Sequence, residues 1–171
     1  MPEVCYNEST THERGIIMAI DQYKRQRRRL QGQVARGRII FLVLIAVSLI
    51  NQVILWFTSN YHFLFSAAMP YYLNWLAGQL SNGGFKVIVT LATLGLYAIY
   101  GLCLLRFFEH QWMKTAVGIY IIDTVLLVIF ALVLLSNPLS CLIELLIHGV
   151  AIAFLLSAYR ARMLLARIPR S

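Results

Sequence analysis

The sequence predicts an all-α integral membrane protein. Four transmembrane helices are expected, with a basic amphipathic helix at the N-terminus and a further interfacial helix at the outer membrane surface. Three observations carry this. Of 171 residues, 60% are hydrophobic and 13% charged, whereas soluble domains run nearer ~45–50% apolar and ~25% charged. Four apolar runs are long enough to cross a bilayer. All the Lys and Arg residues except Lys86 fall in three short stretches outside those runs. Mean hydropathy is +0.71.

Residues 1–38 form a basic segment expected on the cytoplasmic side. After a polar start, Thr10 and Glu13 have capping-box spacing, which predicts a helix over residues 11–36, and Gly37 predicts its stop. Ile16, Ile17, Ile20, Tyr23 and Leu30 make a broken apolar stripe. Lys24, Arg25, Arg27, Arg28 and Arg29 make a dense basic block, expected to contact anionic lipid headgroups of the inner leaflet. The long basic region and the lack of a small-residue cleavage site do not read as a signal peptide.

The four-helix transmembrane domain is predicted over residues 39–158, with spans at 39–57, 85–105, 117–135 and 139–158. The first carries no charge and reaches about 28 Å at ~1.5 Å per residue, close to the ~30 Å apolar thickness of a bilayer. Lys86 is the charge near the start of the second. The third and fourth are separated by the turn Ser136, Asn137, Pro138, which forces an antiparallel hairpin, with Pro138 placed to begin the returning helix. Residues 159–171 form a basic tail.

Charge sets the expected topology. The N-terminal segment, the connection bearing Arg106 and Lys114, and the tail bearing Arg160, Arg162, Arg167 and Arg170 share one side of a four-span chain. Residues 58–84 and the 136–138 turn, free of Lys, Arg, Asp and Glu, share the other. The positive-inside pattern then predicts both termini in the cytoplasm. The arrangement resembles small bacterial-type four-span plasma membrane proteins, a resemblance that implies no activity.

Residues 58–84 are uncharged and aromatic. Pro70 suits the first turn of a short helix running to about Leu80, with Met69, Tyr72, Leu73, Leu76 and Leu80 on one face. Its Tyr and Trp content predicts a place in the outer headgroup layer. The alternative is a segment dipping into the bundle, whose backbone groups then need protein partners.

Two acids inside spans are the strongest functional pointers. Asp123 and Glu144 occupy positions where an isolated charge costs on the order of 3 kcal/mol by insertion scales, so each is expected to face protein or water, or to be protonated. His148 stands one helical turn after Glu144, a pairing able to relay a proton or orient a substrate group. With Asn51, Tyr97 and Tyr100 these residues are the candidates for a substrate or proton pathway. Glu144 and His148 form its expected outer station, and Asp123 its inner one. Ordinary interhelical hydrogen bonding would leave the same pattern.

No catalytic, metal or cofactor motif is present. Cys5, Cys103 and Cys141 are far apart, and no HExxH, GxSxG, Walker or dinucleotide motif occurs. No cofactor, metal ion or nucleic acid partner is expected. Three functional readings follow: a channel, transporter or transporter subunit for a proton, cation or small polar solute; a non-catalytic scaffold or accessory subunit of a membrane complex; and an intramembrane enzyme assembled from separate helices. Four helices enclose little volume, so a pathway calls for a homo-oligomer or a membrane protein partner.

Overall fold

The computed structural model describes residues 8–57, 67–79, 83–134 and 138–168. These form five helices: α1 (Glu8–Phe57), α2 (Ala68–Gln79), α3 (Gly83–Leu105), α4 (His110–Leu134) and α5 (Pro138–Arg167). All but α2 are long and apolar enough to cross a membrane. The expected spans fall within α1, α3, α4 and α5, apart from residue 135, which lies outside the described residues. Pro138 opens α5, where its missing N–H costs no hydrogen bond.

The helices form a ring in which α1 packs against α3 and α5, and α4 packs against the same two. The most extensive contact is the antiparallel pairing of α1 with α5. Leu30, Val34, Gly37, Phe41, Leu44, Ser48 and Asn51 are all buried, at alternating steps of four and three residues that keep one stripe of α1 against its neighbours. Large side chains elsewhere face outward, among them Leu91, Leu132 and Leu146, each more than 60% exposed. So much exposed apolar surface requires a lipid bilayer as its solvent.

Two boundaries differ from the sequence expectation. Among the described residues the helix already includes Glu8, so Thr10 lies within it, and Gly37 does not stop it. Gly37 instead serves the helix crossing: a Cβ there would overlap the Ala158 side chain and touch the Phe107 ring. The missing side chain lets α1 and α5 approach closely, and the resulting packing outweighs the roughly 1 kcal/mol that glycine costs a helix interior. An uninterrupted helix of this length reaches about 75 Å, more than twice a bilayer's apolar thickness. Since a helix without a breaker bends only gently, residues before Gly37 continue the direction of the span.

One end of the bundle is closed by the turn between α3 and α4. Arg106 N–H donates to the Leu102 carbonyl and Glu109 N–H to the Arg106 carbonyl. This turn directs Phe107 inward, where it is fully buried with its ring 5.9 Å from that of Phe41. Arg106 and Glu109 approach at 4.0 Å in an exposed pair, a contact of small energetic weight.

The short helix predicted within 58–84 is α2, and it packs against α1, α3 and α4. Its N-terminal turn enters the bundle: Ala67, Ala68 and Pro70 are buried, and the partners of its first amides lie near the middle of the apolar span of α1 and the middle of α4. Residues 58–66 and 80–82 lie outside the described residues. The start of this segment enters the bundle, where its backbone donors find partners in the protein.

Candidate functional site

The polar centre of the bundle is built around the start of α2. A helix leaves its first N–H groups without intrahelical acceptors, and here other helices supply them. Ala67 N–H donates to Ser48 Oγ of α1 at 2.7 Å. Ala68 N–H donates to Asp123 Oδ2 at 2.9 Å, and Met69 N–H to Asp123 Oδ1 at 2.6 Å. Pro70, next in line, has no N–H. Asp123 therefore performs, from α4, the task that an N-cap carboxylate ordinarily performs within its own helix.

Further bonds tie α2 and α3 to α1. Ser48 Oγ donates to the Leu44 carbonyl at 2.8 Å, so its hydrogen is already committed. Asn74 Nδ2 donates to Gln52 Oε1 and, at 2.8 Å, to the Pro70 carbonyl. Tyr97 donates its hydroxyl to the Ser48 carbonyl at 2.8 Å. Tyr72 of α2 stacks on Phe130 of α4 with centroids 4.0 Å apart.

His148 completes the centre from α5. Its Nδ1 lies 3.1 Å from Thr124 Oγ1 and 3.9 Å from Asp123 Oδ2. Thr124 donates its own hydroxyl to the Tyr120 carbonyl at 2.9 Å, which leaves Oγ1 to accept from an Nδ1–H tautomer. The imidazole stacks on the Tyr120 ring at 5.0 Å. Asp123 is 0% and His148 1% exposed, so a charge on either is felt by the other with little screening.

Of the pathway residues expected from sequence, the structure brings Asp123, His148 and Tyr97 to this centre. Tyr100 is buried beside Tyr97, their rings 6.5 Å apart, and Asn51 is buried one turn beyond Ser48. Glu144 is half-buried on α5, close enough to Tyr71 and Tyr72 of α2 for its charge to act on both. His148 and Asp123 do not occupy separate depths: they stand at nearly equal sequence distances from residues 135–137, which connect α4 to α5, and the two side chains lie 3.9 Å apart. Lys24, Arg25, Arg28 and Arg29 are exposed along α1, whereas Arg27 is half-buried.

Sequence reasoning missed Ser48, Asn74 and Thr124 as members of one cluster, and missed the backbone of residues 67–69 altogether. A signal was present: residues 58–84 contain no acid to cap their own helix, and Asp123 has no basic residue within a turn on its own helix. Two buried hydroxyls, of Tyr100 and Tyr120, have no hydrogen-bond partner. Among the described residues no three His, Cys, Asp or Glu side chains are grouped as metal ligands.

Comparison with models of known protein families, with curated proteins and with solved structures finds no match to this chain.

Proposed function

We propose that this small multi-pass membrane protein senses or passes protons or small cations across the membrane, with Asp123 and His148 as its titrating centre and α2 as the element they hold. The observation that supports the reading is the double use of one buried carboxylate. Asp123 accepts the first two amides of α2 while lying 3.9 Å from His148. A proton arriving at Asp123 competes with both amide bonds and loosens the entry turn of α2, so a change in protonation becomes a change in packing. Glu144, near the tyrosines of α2, is the outer acid of this scheme. Both termini lie in the cytoplasm, and the exposed cations of Lys24, Arg25, Arg28 and Arg29 stand on the stretch of α1 that leaves the inner leaflet, drawn to that side by its anionic lipid.

The test is reconstitution in liposomes, with proton and monovalent-cation flux measured for the parent, Asp123→Asn, His148→Ala and Glu144→Gln at matched folded amounts. Flux in the parent that the first two variants abolish at matched folded amounts supports the reading. An inactive parent, or variants that differ from it in stability alone, defeats it.

A second reading, an accessory subunit of a membrane complex, is supported by an apolar groove of about 370 Å³ between α1 and α5, lined among others by Ile40, Val43, Leu146 and Val150. Gentle purification followed by mass measurement of the intact assembly separates the two readings.

A further inference from the structure

Beyond the membrane-spanning core, α1 and α5 continue side by side and enclose a groove of about 610 Å³ lined by Arg27 and Gln31 of α1 and by Arg162, Leu165, Arg167 and Ile168 at the end of α5. Among the described residues no carboxylate lines it. Among the described residues, none of the three guanidinium groups has an ion-pair or hydrogen-bond partner, and Arg162 Nε is buried without an acceptor. Like charges gathered from two helices and left uncompensated oppose the packing that gathers them. The C-terminal carbonyls of α5 offset part of this, since a helix C-terminus favours cations.

We infer that this groove binds a phosphate group, either of a soluble phosphorylated molecule or of a lipid headgroup. Arginine forks bind phosphate oxygens through paired N–H donors, and Gln31 adds a neutral donor one turn from Arg27. Three guanidiniums match the two charges of a phosphate better than the single charge of a carboxylate. The volume falls within the ~300–1,000 Å³ of small-molecule sites, and Leu165 and Ile168 offer apolar surface to the organic part of the ligand. The site is separate from the Asp123 centre and does not depend on the proton reading.

The test uses the full chain. In one arm it is held in nanodiscs of phosphatidylcholine alone and titrated with inorganic phosphate at constant ionic strength, with acetate as control. In the other it is held in nanodiscs containing phosphatidic acid, without added phosphate. Thermal unfolding is read for the parent, Arg162→Gln, Arg167→Gln and Arg160→Gln, the last an exposed arginine of α5 that does not line the groove. The parent is expected to be stabilised in at least one arm: the first identifies a soluble source, the second a headgroup. Each groove variant is expected to weaken the response about tenfold or more, as loss of a charge-assisted fork should, with Arg160→Gln matching the parent. Should Arg162→Gln fail to fold, Arg162→Lys and Arg167→Gln decide. A parent unmoved in both arms, an equal response to acetate, or an Arg160→Gln that behaves like Arg162→Gln would overturn the assignment.

Discussion

Gly37 of α1 lies so close to Ala158 of α5 that no other residue fits at position 37 without displacing the neighbouring helix. Two effects oppose each other in Gly37→Ala: the helix gains up to about 1 kcal/mol from propensity, and overpacking at the crossing costs about 1–3 kcal/mol. The crossing is expected to prevail, with a net loss of roughly 1–2 kcal/mol and a larger one for Gly37→Leu. Adding Ala158→Gly should restore part of that loss. Gly118, with open space where its Cβ would stand, is the control, and Gly118→Ala should be neutral or stabilising. Thermal unfolding in one detergent compares all four, and a Gly37→Ala protein more stable than the parent would contradict the crossing role.

Asp123→Ala removes the acceptor for two amides at once. Bonds to charged groups contribute about 1.5–3 kcal/mol each, so a loss of roughly 3 kcal/mol is expected, together with faster hydrogen exchange at Ala68 and Met69. Asp123→Asn keeps one carbonyl oxygen and should lose about half as much. Exchange at those amides unchanged in Asp123→Ala would mean that the α2 entry turn is held by something else.

Three tyrosines near the centre should respond with different signs. Tyr97 donates to Ser48 across helices, so Tyr97→Phe should cost about 1 kcal/mol. The hydroxyls of Tyr100 and Tyr120 are buried without partners, so Tyr100→Phe and Tyr120→Phe should leave stability unchanged or raise it by about 1 kcal/mol. Denaturation of the three variants side by side checks the order, and equal losses in all three would refute it.

Membrane sidedness is open to direct chemistry. In a cysteine-free background, a cysteine at Gln79, exposed near the end of α2, should be labelled by an impermeant reagent from outside intact cells. A cysteine at Gln26, exposed on the basic stretch of α1, should react only after permeabilisation. The reverse result would invert the topology that the charges predict.

The sequence by itself determined the membrane class, the four spans, the hairpin at Pro138 and the existence of a short helix after Ala67. These follow from properties that add up residue by residue along a segment and are measured against a bilayer of fixed thickness. It also marked Asp123 and His148, because polar groups are expensive in that solvent wherever the helices pack. Only the tertiary structure decided what those groups touch. The roles of Asp123 at the α2 amides, of Ser48 at Ala67, and of Gly37 as a crossing point are distances between helices. Gly37 reads as a stop in a single chain because glycine weakens an isolated helix, and it becomes a contact only when Ala158 is brought against it.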